Sequence, residues 1–287
     1  MPPSDDSSSE NTYFINIEEA AETARLMEQD RLFTQAMGGL FPEISDLTPF
    51  KEVLDIGCGP GGWAMEVAFQ HPDMQVVGID INPRMIQYAF AQARVRDLQN
   101  VSFEVMDALQ PLAFHDNSFD LVNARLIFGF MDQLSWPRLL AECQRILRPG
   151  GILRLTESDG GSTSSPALQR IYGLFCQLLT AQKRTFSVDG TSFGLAHRLG
   201  KIVQDAGFIN VHKHPFIIDT SWGSEYHFST SKDVEVAMVL LKPYILSSKL
   251  IEEEEYDQLY NRTLAEMFGS DFTGISYCLI TWGSKPT

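Results

Sequence analysis

The apolar positions change their period along the chain. Between residues 11 and 40 they recur at helical spacing: Ala20, Ala24 and Met27, then Leu32, Phe33 and Met37. Asn16, with Glu19 three residues on, is the expected N-cap of this unit, and Pro42 closes it. From residue 51 short apolar runs take over. Residues 53–56, 76–79, 101–105, 119–122 and 152–156 read as five strands. Residues 63–70, 83–96 and 136–147 read as helices between them, the last stopped by Arg148-Pro149-Gly150-Gly151. Strand and helix alternating at this spacing predict βαβ units and a parallel sheet. Past Glu157 the pattern loosens. Residues 159–165 are rich in Gly, Ser and Thr and read as a loop. Leu168, Ile171, Tyr172, Phe175, Leu178 and Leu179 fit one helix face. Helices are then expected at 195–206, 234–241 and 253–267, and strands at 209–218 and 275–282.

Composition narrows the classes. The 287 residues are 44% hydrophobic and 21% charged, with a net charge of −15, which fits a folded globular protein. The acidity argues against a grip on nucleic-acid phosphates or on anionic lipid, so neither is expected as a partner. Residues 1–10 read as a polar tail with no apolar leader segment, and no run approaches a membrane span. Cys58, Cys143, Cys176 and Cys278 lie far apart, so neither a disulfide framework nor a metal site is expected. The expectation is a cytoplasmic protein, monomer or homodimer, with free thiols.

The candidate chemistry begins at Asp55-Ile56-Gly57-Cys58-Gly59-Pro60-Gly61-Gly62, which ends a strand and opens a helix. Glycines there let the chain turn sharply and let a ligand lie against bare backbone. Asp80 ends the next strand, where a carboxylate can accept both hydroxyls of a ribose. The pattern implies a nucleoside-containing cofactor at the switch point of an open α/β sheet. Gly57, Gly59 and Gly62 also satisfy the dinucleotide fingerprint with Asp80 near its offset, so a nicotinamide cofactor is the competing reading. Asp55 inside the strand and the Pro60-Gly61 turn weigh against it.

The run from Val53 to Gly61 resembles the first motif of class I S-adenosylmethionine-dependent methyltransferases, and Val77-Gly78-Ile79-Asp80 resembles their second. Met106-Asp107-Ala108, residues 116–122 and Leu147 to Gly151 resemble the later motifs in order, across residues 51–157. The nearest flavour is the small-molecule branch that includes quinone-biosynthesis methyltransferases. The resemblance implies an α/β, Rossmann-like, doubly wound sheet of seven strands, the last antiparallel, with helical cap insertions. It implies Gly57, Cys58 and Gly59 beside the methionine part of S-adenosylmethionine, with Asp55 ordering the loop. Asp80 would take the ribose, Ile81 would pack on the adenine, and Asp107 would accept from its amino group, with Ala108 beside it. Asn123, just past the fourth strand, would offer main chain near the amino-acid moiety. No metal is implied.

The organisation expected is a tail and helical lid at 1–48, a cofactor-binding core at 49–160, a cap insertion at 161–194, a core helix and strand at 195–220, a second helical cap insertion at 221–272, and a closing strand at 273–287. The aromatics of these insertions (Phe175, Trp222, Tyr226, Phe228, Tyr244 and Tyr256) suit a cap over a small, largely apolar acceptor. Catalytic candidates are Tyr13, a lid aromatic or part of a hydrophobic staple entering the helix, and Arg125 and Glu157 at the carboxyl ends of strands. The latter two would touch the acceptor or the methionine carboxylate, or would pair with each other. Arg31 is a further candidate for that carboxylate, against the reading of a surface arginine. The function expected is methyl transfer by in-line displacement governed mainly by alignment. The alternative is a cofactor-binding protein of the same fold with a non-methylating or regulatory role.

Overall fold

The structure, a computed structural model, describes residues 20–287. Helix α1 (Ala20–Ala36) precedes the alternating unit β1 (Glu52–Ile56), α2 (Gly62–Gln70), β2 (Gln75–Asp80), α3 (Pro83–Val95), β3 (Val101–Val105) and β4 (Phe119–Arg125). A 3-10 turn at Ile127–Gly129 leads to α4 (Ser135–Ile146) and β5 (Leu147–Thr163). Then come α5 (Pro166–Ala181), α6 (Ala196–Asp205), β6 (Ile209–Asp219), α7 (His227–Ser247), α8 (Glu253–Met267) and β7 (Gly274–Ser284). The seven strands form one sheet in the order β3-β2-β1-β4-β5-β7-β6. The pairs among β1 to β5 are parallel, and β7 runs antiparallel to both β5 and β6. The doubly wound α/β sheet expected from the sequence is the one observed.

Alternation along the central strands decides the layers. Leu54, Val122 and Leu153 face one side, where Leu139, Leu140 and Cys143 of α4 and Leu199 and Val203 of α6 cover them. Val53 and Leu121 face the other, against Trp63, Ala64 and Val67 of α2 and against Phe41 and Phe50 from the segment before β1. Helices α5, α7 and α8 share a separate core built on Ile171, Leu174, Met238, Ile245 and Tyr256. Side chains start α3 and α5 cleanly. Asn82 and Ser165 accept from the amides of Arg84 (2.9 Å) and Leu168 (3.0 Å), each followed by a proline at the first helical position.

Three expectations are corrected. Residues 159–163 are not a loop, because β5 continues to Thr163. After an irregularity between Ser158 and Gly161, Gly161 to Thr163 pair with Ser276 to Gly274 of β7. A Cβ at Gly161 would stand 2.5 Å from the Ile275 carbonyl oxygen, so the glycines read as loop signals here permit close strand approach. Strand β4 runs on to Arg125, which puts Asn123 inside the strand rather than past it. Helix α7 starts at His227, not at 234, because His227 and Ser231 are buried polar residues that break the apolar stripe.

Candidate active site

The carboxyl edge of the sheet holds the glycine-rich loop in a tight, left-handed path. Gly57, Gly59 and Gly61 have φ of +66°, +53° and +80°, values that side-chain-bearing residues rarely adopt. Two tethers fix the loop to β2. The Cys58 amide donates to the Ile79 carbonyl at 2.9 Å, and the Gly59 amide donates to Asp80 Oδ2 at 2.9 Å. Asp80 Oδ1 accepts from the Asn82 amide at 2.8 Å. Asp80 thus joins the loop to the start of α3, and each oxygen keeps a further lone pair for a ligand. Burial raises its pKa, against the two backbone hydrogen bonds. A cavity of about 160 Å³ lies over the loop. Gly57, Cys58, Gly59, Asp80, Ile81, Asp107 and Ala108 all line it, so seven residues picked from sequence come together. A Cβ at Gly59 would meet only Leu26 Cδ1, at 3.8 Å, which leaves bare backbone with room above it.

Asp55 and Asn123, also expected at the cofactor, do not line this cavity. Register puts Asp55 opposite Asn123 and Asn123 opposite Arg154. The three side chains therefore form one row on the α2 face, beneath the loop. Asn123 Nδ2 donates to Asp55 Oδ1 at 2.8 Å, and Arg154 donates to Asn123 Oδ1 at 2.8 Å. The row ends in an ion pair between Arg154 and Glu43, both buried. Burial lifts Asp55 to about 7, opposed by the Asn123 hydrogen bond and the Arg154 charge. Asp55 is thus a floor residue, and Asn123 works through its side chain, not its main chain.

Arg125 lines the cavity but does not pair with Glu157. It forms an ion pair with Asp30 of α1, donates to Thr34 Oγ1 at 3.0 Å and lies 5.8 Å from the Trp63 ring centroid. Burial first, then the Arg154 charge, lowers its pKa to about 9. Glu157 is fully buried in mid-strand and does not line the cavity. Its Oε1 accepts from the Ile127 amide at 2.9 Å, while Oε2 has no partner among the described residues. Burial raises it to about 8, so it is largely protonated at neutral pH. It pins the 3-10 turn after Leu126. Arg31 is exposed and does not line the cavity. Tyr13 lies outside the described residues.

The sequence reading missed the face of α1. Leu26, Gln29, Asp30 and Phe33 line the cavity, spaced at i, i+3, i+4 and i+7, and Arg31 falls off that face. The helical spacing was the available signal. Leu126, Ile127 and Phe130 were missed too, because β4 was expected to end at 122. Leu126, Gln29 and Phe33 also line a second cavity, of about 230 Å³, so the two spaces adjoin there. The walls of the second are mainly apolar: Leu168, Ile171 and Phe175 of α5, Met238 and Leu241 of α7, and Phe272. No helix among the described residues is long and apolar enough to cross a membrane.

Comparison with known proteins bears on the same stretch that carries the loop. Residues 53–151 match a family model described as a methyltransferase domain. Over those residues the chain is similar to a methyltransferase domain. Over 174 residues the chain is 32% identical to a methyltransferase named pytC from Aspergillus terreus, covering 60% of this chain and 50% of that protein. It is 29% identical over 181 residues to a demethylmenaquinone methyltransferase of Geobacillus kaustophilus, covering 58% and 74%. The chain thus spans about half the length of the first of these relatives. Its fold is similar to that of a phosphoethanolamine N-methyltransferase from Haemonchus contortus solved with S-adenosyl-L-methionine. That likeness has a TM-score of 0.55 at 19% identity, over 97% of this chain and 61% of the other.

Proposed function

We propose that this chain transfers a methyl group from S-adenosylmethionine to a small, largely apolar acceptor, with the cofactor in the smaller cavity and the acceptor in the larger. The observation that carries this is the junction: a cavity floored by the glycine loop and Asp80 meets an apolar cavity at Gln29, Phe33 and Leu126. The residues fit the cofactor. Bare backbone at Gly57 and Gly59 admits the methionine part, and Asp80 has spare acceptor capacity for a ribose diol. Ile81, Met85 and Met106 give an apolar slot for a base, with Asp107 at its edge. The paired charges of Asp30 and Arg125 face the same cavity as complements to a zwitterion.

The cofactor supplies a methyl carbon already activated by a sulfonium, so the protein's task is alignment and exclusion of water. Effective molarity from positioning supplies roughly 7–11 kcal/mol in well-oriented reactions. Helix α1 walls both cavities and closes over their junction. Helices α5 and α7 serve as the cap that sets the acceptor's place. Turnover of S-adenosylmethionine to S-adenosylhomocysteine over a panel of apolar phenols and amines tests the reading. Product with any member, reduced in a folded Asp80→Ala protein, supports it. A panel compound that binds beside bound cofactor in good alignment and yields no S-adenosylhomocysteine overturns it.

A further inference from the structure

The larger cavity is apolar along most of its wall, but one end carries charge. There α1 meets α7 through Arg25, whose Nη1 donates to Asp233 Oδ1 at 2.8 Å. Arg25 also donates to both carboxylate oxygens of Glu22, at 2.7 and 2.9 Å. Glu22 and Arg25 are buried, while the Asp233 side chain keeps 25% of its surface. Arg25, Gln29, Asp233 and Tyr172 all line the cavity. The second oxygen of Asp233 has only a long contact, 3.5 Å from Gln29 Nε2. A carboxylate oxygen takes two hydrogen bonds, so Oδ2 is under-used at a wall otherwise short of partners. Gln29 is one of the three residues shared with the cofactor cavity, which places this end near the junction.

The charges at this end do not cancel. Arg25 is the one cation among the described lining residues, and it is already engaged by two carboxylates. An anion entering here would meet the Asp233 carboxylate with no cation left to receive it. A hydroxyl or amine would instead donate to a charged acceptor in a low-dielectric space, where such a bond is stronger than in water.

We propose that Asp233, held by Arg25 and Glu22, recognises a hydroxyl or amino group on the acceptor, so that neutral or cationic donors are accepted and carboxylated or phosphorylated compounds are refused. This rests on the larger cavity being the acceptor's seat. It sets the chain apart from the Haemonchus contortus protein, which is named for a phosphorylated amine.

The test is calorimetric titration of the full chain with four probes on one apolar frame: 2-naphthol, naphthalene, 2-naphthoate and 2-naphthyl phosphate. Binding of S-adenosylhomocysteine is measured separately, so that failure of the cofactor reading is seen apart from failure of this one. The wild type should bind 2-naphthol about tenfold more tightly than naphthalene, and both anions more weakly than naphthalene. Asp233→Asn should bring 2-naphthol to within about threefold of naphthalene and improve binding of 2-naphthoate. The wild-type order stands as evidence even if the variant folds poorly. Equal or tighter binding of either anion, an unchanged order in a folded Asp233→Asn protein, or no binding of any probe would each overturn the proposal.

Discussion

Arg154→Met is the sharpest probe of the polar row beneath the loop. Arg154 is 0% exposed and its Glu43 partner 1% by side chain, so the pair is shielded from water. Removing the arginine strands the Glu43 carboxylate and leaves Asn123 Oδ1 without its donor. Breaking a buried ion pair from one side costs about 3–5 kcal/mol, most of it the penalty of the uncompensated charge. Spread over 287 residues, at an unfolding entropy near 2.1 cal/mol/K each, that is a drop of roughly 5–8 °C in Tm. Scanning calorimetry with a urea melt measures it. The partner's charge can then be removed as well. Glu43→Gln with Arg154→Met should recover half or more of the loss, since the two changes share one interaction. Asp55 should also titrate higher in Arg154→Met, because the charge opposing its burial has gone. A single-variant loss under about 1 kcal/mol, or a double variant no better than the single, would refute the buried-row account.

The remaining predictions concern Glu157 and the loop glycines. Burial raises Glu157 from 4.5 to about 8, so the native state holds a proton that the unfolded chain releases between those values. Its contribution to stability is therefore full below about 4.5, falls as pH rises to about 8 and is level above. Glu157→Gln should gain roughly 2–4 kcal/mol on the wild type between pH 5 and pH 8 in urea melts, and a constant difference would count against a buried proton. At Gly61 an added Cβ would stand 2.7 Å from the Phe103 ring and 2.8 Å from Ala89 Cβ, whereas at Gly59 it meets only Leu26 at 3.8 Å. Both positions carry the positive-φ penalty, so Gly61→Ala should cost more in thermal stability than Gly59→Ala because it adds a clash, and Gly59→Ala should also weaken cofactor affinity; the reverse order would show that the loop faces are misassigned.

What the sequence made legible follows from how each signal arises. The strands of the alternating half were visible because short runs rich in apolar and β-branched residues alternate with stretches of helical spacing, and the loop because of its cluster of glycines. The roles of Asp55 and Asn123 were not visible. They depend on cross-strand register, which brings Asn123 opposite both Asp55 and Arg154 although the residues are far apart in sequence. Glu157 looked like a residue at a strand end because β5 was expected to stop at 156. The strand in fact continues, and Glu157 sits opposite Leu279 in mid-sheet. Arg31 carries the charge a methionine carboxylate would need, but helical phase turns Gln29, Asp30 and Phe33 to the cavity instead. The second cavity was only partly foreseen. Of the six aromatics expected over the acceptor only Phe175 lines it, while Trp222 and Phe228 are exposed and Tyr256 sits in the core of α5, α7 and α8; the charged end needs α1 and α7 side by side, and Arg25 and Asp233 are 208 residues apart.

The central claim is that the glycine loop and Asp80 hold the nucleoside cofactor. Calorimetric titration of S-adenosylhomocysteine into the wild type and into Asp80→Ala tests it, with a thermal melt to confirm that each is folded. The wild type should bind, and loss of the charged acceptor should weaken affinity roughly 10- to 150-fold, equivalent to about 1.5–3 kcal/mol. A folded wild type that does not bind, or a folded Asp80→Ala protein with unchanged affinity, would contradict it.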